Sequence, residues 1–210
     1  MRAAVRETIR RKKEWIEQTN KEFEMIRNGE LKLKYSWLFI LNLSCYEHLN
    51  LKNINLHSPY LVGQTDENDS SFYFTTDFGL KYTISFMLEY SFVLSGAYQF
   101  CINVEGAGRS PGDIKLRQTV FAIIEEFFNV NGSEAMLYLC ETGDEKEGLR
   151  NRLFIRWFNN YEHRDRYIIR TAEGFLDGIK NFTALFSRKD NPRLEELLAE
   201  FDETISIVFD

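Results

Sequence analysis

The stretch 72-FYFTTDFGLKYTISFML-88 decides how the rest of this chain is read. Phe72 and Phe74 alternate with Tyr73 and Thr75, and Leu80, Tyr82, Ile84, Phe86 and Leu88 alternate with Lys81, Thr83, Ser85 and Met87. Successive side chains on a strand point to opposite faces, so each half is a strand with one apolar face. Asp77-Phe78-Gly79 separates the halves, and Gly79 can supply the positive φ of a tight turn. The stretch is therefore a β-hairpin.

The same reasoning extends outward. In 97-AYQFCINV-104, Tyr98, Phe100, Ile102 and Val104 share a face, which adds a third strand and predicts an antiparallel meander. The loop 104-VEGAGRSPGDIKLRQ-118 follows, then a helix from about Pro111 to Phe128 with Leu116, Val120, Ile123, Ile124 and Phe127 as its apolar stripe. Ser110 is expected as N-cap, Pro111 at the first helical position and Asp113 two residues on. A fourth strand is expected at 135-AMLYLCE-141. Leu149, Leu153 and Trp157 at i,i+4 predict another helix, 166-RYIIRT-171 and 181-NFTALFS-187 a late hairpin. Asn191 as N-cap, Pro192, and the stripe Leu194, Leu197, Leu198 and Phe201 predict a final helix. The expected fold is α+β: an antiparallel β-meander sheet with helices packed on one face, preceded by an N-terminal helical arm.

With 210 residues, 44% apolar and 15% aromatic content, 18 Phe and 3 Pro, the chain has what a packed core requires. Cys45, Cys101 and Cys140 are odd in number and lack C-x-x-C spacing, which points to a reducing cytoplasm. Cys45, His48 and His57 have no fourth ligand nearby, so no metal is expected there, and no cofactor motif is present. The apolar run 37-WLFILNLSC-45 is shorter than the ~20 residues of a bilayer-spanning helix and reads as a buried strand, so no membrane span is expected.

Charge divides the chain. Residues 1–57 carry 11 Lys/Arg against 7 Asp/Glu (+4), and residues 58–210 carry 15 against 25 (−10). The expected organisation is a basic arm with a short apolar strand over 1–57 and an acidic α+β domain over 58–210. Within the arm, Glu7/Arg11, Arg10/Glu14, Lys13/Glu17 and Glu17/Lys21 have the i,i+4 spacing of a solvated helix. Ile9, Ile16 and Phe23 recur every seven residues and form a narrow stripe suited to another protein or a second copy. Arg10, Arg11, Lys12 and Lys13 are the candidates for an anion or nucleic acid, but acidic residues interleaved with them weaken phosphate attraction.

The Gly-rich loop fails both phosphate patterns: there is no G-x-x-x-x-G-K-[ST], and Pro111 stands where G-x-G-x-x-G needs its third glycine. Asp113 at the helix start would repel a phosphate, leaving Arg109 as the loop's one candidate anion contact. The triplets Asp77-Phe78-Gly79 and His163-Arg164-Asp165 echo kinase motifs, but the first lies in a hairpin turn and Arg170 replaces the asparagine the second requires. An alternative active site gathers Glu141 and Asp144 of the acidic turn 141-ETGDEKEG-148 with Arg150, Arg152 and Arg156. Carboxylates holding a metal beside arginines on a phosphate would make a metal-dependent nuclease or phosphoesterase, to which Asp113 and Lys115 add a D-x-K pattern.

Phe74, Thr76, Asp77, Gly79 and Tyr82, then Cys140 with Asp144, Arg152-Leu153-Phe154 with Trp157-Phe158, and Asp190-Asn191-Pro192, together resemble a small bacterial family, a domain of unknown function, over residues 60–205. The resemblance implies a bacterial, cytosolic protein and assigns no catalytic residue. The function expected from the sequence is non-catalytic: interaction with another protein or with itself, of the immunity, antitoxin or phage-defence kind.

Overall fold

The hairpin forms as its pattern requires. In the computed structural model, which describes residues 48–65, 68–89, 93, 96–106, 112–139, 147–176 and 179–209, β2 (Asn68–Thr75) pairs antiparallel with β3 (Lys81–Glu89). Gly79 between them has φ +75°, which a side chain rarely tolerates, and Thr76 N–H donates to the Leu80 carbonyl at 2.9 Å to close the turn. β4 (Ala97–Glu105) extends the meander antiparallel to β3. A short strand missed in the sequence, β1 (Gly63–Thr65), flanks β2. Its three residues, Gly-Gln-Thr, have no alternation to read. Residues 1–47, with the basic run, the seven-residue stripe and the apolar run 37–45, lie outside the described residues, and every described residue belongs to the compact unit Glu47–Asp210.

Helix α1 (Leu51–His57), within the segment grouped by charge with the arm, packs on α2 (Ile114–Val130). Its Ile54 is buried, and the buried Glu126 carboxylate of α2 accepts from Asn50 N–H (3.0 Å) and the Asn53 amide (3.3 Å). An acceptor at the helix start meets the N–H groups that the helix leaves unpaired.

Between β4 and β5 (Met136–Leu139) the chain crosses over through α2, and β5 lies parallel to β4. A crossover helix makes that direction natural, where a tight turn would have given an antiparallel neighbour. The α+β class therefore holds with a mixed seven-stranded sheet in the order β1-β2-β3-β4-β5-β7-β6, and the meander describes its first four strands. β6 (Tyr167–Leu176) and β7 (Ile179–Arg188) form the late hairpin, with β7 beside β5.

The expectation of helices on one face describes only part of the molecule. On one face, Phe127 of α2 stacks on Phe86 (4.6 Å) and meets Tyr98 edge-on (5.3 Å). On that same face, Phe154 and Phe158 of α3 (Glu147–Asn159) meet Tyr138 (4.3 Å) and Phe186 (5.1 Å). Leu137 and Leu185, one residue along from Tyr138 and Phe186, point the other way and cluster with Leu197 and Phe201 of α4 (Leu194–Val208). Helix α4 thus covers the opposite face. On the same side Arg170 of β6 pairs in a fork with Asp202 of α4 and holds that carboxyl below its ordinary pKa.

Two helix starts differ from their expected residues. Helix α2 begins at Ile114 with Asp113 as N-cap, because Gly112 before it has φ +67° and cannot be a helical residue. Helix α4 begins at Leu194, while Asn191 organises the preceding turn: its Oδ1 accepts from Arg193 N–H (2.8 Å) and its amide donates to Glu134 O (3.1 Å) and Ser187 Oγ (2.9 Å).

Candidate functional site

Where β3 and β4 run past the start of α2 and along α3, the helices leave a cleft of about 660 Å³, within the range of binding sites for small ligands and side chains. Its floor is apolar because it continues the core: Phe100, Ile102, Leu116, Val120, Leu153, Phe154 and Trp157. Phe154 is fixed from below by Tyr138 and Phe100, at 4.3 and 6.1 Å between ring centroids. Amphipathic helices place basic residues at the margins of their apolar stripes, and here those margins form the walls. Arg117 comes from α2, Arg150 and Arg156 from α3. Neither Arg117 nor Arg156 has an ion-pair partner among the described residues, in a chain whose net charge is −6.

Asp113 also lines the cleft, and both its oxygens are engaged. Oδ1 accepts from Leu116 N–H at 3.0 Å as the helix cap, and Oδ2 accepts from the Tyr60 hydroxyl at 2.9 Å. The Tyr60 oxygen in turn accepts from Asp77 N–H at 3.3 Å, tying the helix start to the β2–β3 turn. Burial, then the neighbouring Asp113 carboxylate, raises the Tyr60 and Tyr82 pKa values, so both phenols stay neutral donors. Lys115 pairs with Asp77 at 2.7 Å and lies over the Tyr60 ring, and the pair raises its pKa. The D-x-K pattern is thus divided between a helix cap and a surface ion pair and does not assemble as a nuclease core. Asp113→Ala is expected to lower stability by about 1–2 kcal/mol, since it removes the cap and leaves the buried Tyr60 hydroxyl without its acceptor. Chemical denaturation checks this, and Tyr60→Phe in the same background should cost less than it does alone, because the two act on one bond.

Of the residues singled out from the sequence, Arg150 and Arg156 are brought together at the cleft. Arg152 is exposed and leans toward Gly148 instead, with its Nη1 3.6 Å from where a Cβ on that glycine would sit. Glu141, Asp144, Arg109, the stripe Ile9, Ile16 and Phe23, and the basic run Arg10, Arg11, Lys12 and Lys13 lie outside the described residues. Among the described residues no three His, Cys, Asp or Glu side chains stand where they could hold a metal ion. Arg117, Tyr82 and Trp157 were not found as site residues. A signal existed for Arg117, a cation beside Leu116 at the margin of the stripe, but it gains meaning only when α3 brings its own arginines opposite.

The Glu125 cluster on the far side of α2 is structural. Arg166 donates to Glu125 at 2.5 Å, Phe121 stacks on Tyr161 at 4.2 Å, and burial pushes the Tyr167 phenol up to about 12. It closes the end of the core beside the turn Arg164–Arg166, where the His163-Arg164-Asp165 triplet lies exposed.

Residues 112–203 match a family of unknown function (DUF6169). The match covers less than half of the chain and runs from the start of α2 into α4. It includes both helical walls of the cleft and three residue groups of the sequence resemblance: Cys140 with Asp144, 152–158 and 190–192. Phe74, Thr76, Asp77, Gly79 and Tyr82 precede it. No curated protein and no solved structure matches the chain. No helix among the described residues is long and apolar enough to cross a membrane.

Proposed function

We propose that this chain is a non-catalytic interaction protein whose docking site for an acidic partner is the arginine-walled cleft. The observation that carries the reading is the combination at its mouth. Val104 and Ile114 line the cleft yet are 56% and 61% exposed, Leu149 beside Arg150 is 58% exposed, and two of the wall arginines have no ion-pair partner among the described residues. Exposed apolar side chains beside arginines are the composition of a protein-binding surface, where arginine and aromatic side chains, here with Trp157 on the floor, supply most of the energy.

The seven-residue stripe Ile9, Ile16 and Phe23 supports the same reading by offering a second, helical surface to a partner or a second copy. A cytoplasmic immunity, antitoxin or defence role fits an acidic chain that meets another protein. The test is native mass spectrometry on protein purified gently from its own host. A mass above 24.8 kDa by a whole protein, or by a multiple of the chain, is expected, and deletion of residues 1–34 should weaken that assembly. A bare 24.8 kDa chain under conditions that preserve known complexes would end the interaction reading.

A further inference from the structure

We infer that the cleft takes the free C-terminal residue of the partner, with its carboxylate on Arg117 and Arg156 and a bulky apolar side chain on the floor. The inference rests on the cleft being the docking site proposed above and names what enters it. The two arginines converge because α2 and α3 meet beside them. Phe121 of α2 stacks on Tyr161, just past the end of α3, at 4.2 Å between ring centroids. Asn160 N–H donates to Arg156 O (3.2 Å) and Tyr161 N–H to Phe158 O (3.0 Å), which continues the helical turn to that contact. Arg117 lies four residues before Phe121, and Trp157 four before Tyr161, roughly 6 Å along each axis. Arg156 adjoins Trp157, and all three line the cleft. Arg150 stands roughly 9 Å further back on α3. It already has an interaction partner and takes no part.

Convergent arginines suit one carboxylate. Each guanidinium donates two parallel hydrogen bonds, and the two carboxylate oxygens have lone pairs for both forks. Asp113, four residues before Arg117, also lines the cleft, so two cations and one anion favour a single further negative charge over a doubly charged phosphate. The floor beside them, Trp157, Leu153 and Leu116, suits an apolar group close to that charge. Side chains of consecutive residues in an extended chain point to opposite sides, so an internal acidic residue and its apolar neighbour do not enter together. A terminal residue avoids this, since its carboxylate and side chain leave the same Cα. The rim favours a chain over a free acid. Val104 and Ile114 line the cleft yet are largely exposed, and Ile114 lies three residues further back on α2 from Arg117. A small acid on the arginines leaves them bare, whereas the residues preceding a C-terminus cover them.

The experiment is titration of the full-length chain with acetylated tetrapeptides ending in Phe, Trp or Leu, each as the free acid and as the C-terminal amide. Wild type is compared with R117Q, R156Q and R117Q/R156Q. Both arginines are at least partly exposed, so these variants should retain the wild-type urea midpoint, and the comparison of acid with amide needs wild type alone if they do not. Free acids are expected to bind about tenfold or more tightly than their amides, and the double variant should lose that preference. Added salt should weaken the acids and spare the amides. Equal affinity of acid and amide, a preference that survives R117Q/R156Q, or no binding by any peptide overturns the inference. So does binding of 3-phenylpropionate, or of a nucleoside monophosphate, as tight as that of the best tetrapeptide, which would assign the cleft to a small anion. The two proposals fail separately. A host partner whose binding survives loss of its last residue removes this inference alone. A bare 24.8 kDa chain from the host that still prefers the free-acid peptides removes the interaction reading alone.

Discussion

Phe127→Ala is expected to destabilise the protein by about 3–5 kcal/mol, the cost of deleting a fully buried aromatic ring and leaving a cavity. Phe127 is completely buried and sits where α2 meets the sheet. It stacks on Phe86 at 4.6 Å, meets Tyr98 edge-on at 5.3 Å and Phe128 at 5.0 Å. Phe128 continues to Phe186 (5.4 Å) and Tyr167 (5.5 Å), so the adjacent pair of rings joins β3 and β4 to the β6–β7 hairpin. Its neighbours are held by strand pairing and cannot collapse into the space, which places the loss toward the upper end of the range. Urea denaturation should show a lower midpoint with an unchanged slope, since the folded state still buries the same remaining surface. A loss under about 1 kcal/mol would mean that the ring network does not organise this core. Most single domains have only about 5–15 kcal/mol in total, so the variant should be close to unfolding at elevated temperature.

Phe201→Ala should cost about 3–4 kcal/mol by the same mechanism, with a different signature. Phe201 is fully buried on the opposite face, among Val93, Ala97, Ala135, Leu137, Leu185 and Leu197. That cluster is made of smaller side chains, and α4 is the one helix described on it. What remains to hold α4 is Leu197, the partly buried Ala172, Leu198 and Ile205, and ion pairs near the surface such as Arg170–Asp202 and Arg193–Glu134. Exposed pairs contribute about 0–1 kcal/mol each and cannot replace a buried ring. Local release of α4 is therefore expected before global unfolding. Hydrogen exchange should accelerate over 194–208 in the variant while α2 and β3–β5 stay protected. Uniform loss of protection across the sheet would instead show that α4 and the front-face core unfold as one unit.

These two variants also separate what was legible from what was not. The stripes of α2 and α4 were readable because a helix in contact with a sheet repeats its apolar residues every three to four positions, and Phe127 and Phe201 both lie on them. Which face each helix covers was not readable from the stripe, since a stripe has no sense of side. The clue lay in β5, whose Met136, Leu137 and Tyr138 are all buried, a continuous apolar run that marks a strand covered on both faces. The β4–α2–β5 order likewise contained the parallel pairing, which a meander reading passes over. At the site, α3 and its arginines were visible, yet their grouping with Asp144 followed proximity along the chain, whereas Arg117 is more than thirty residues away from Arg150 in sequence and faces it across the cleft.

By itself the sequence determined the periodic elements: the β2–β3 hairpin with Gly79, the β4 strand, the helices α2, α3 and α4, the late hairpin, and through them the α+β class. Local physics suffices there, because alternation, stripe spacing and a glycine in a turn act over a few residues. Tertiary structure alone decided the sheet order, the division of helices between two faces, the use of Asp113 as a cap held by Tyr60, and the meeting of Arg117 with Arg150 and Arg156 over an apolar floor. Each of these depends on residues distant in the chain finding one another, which is set by how the core closes, and no local pattern contains that information.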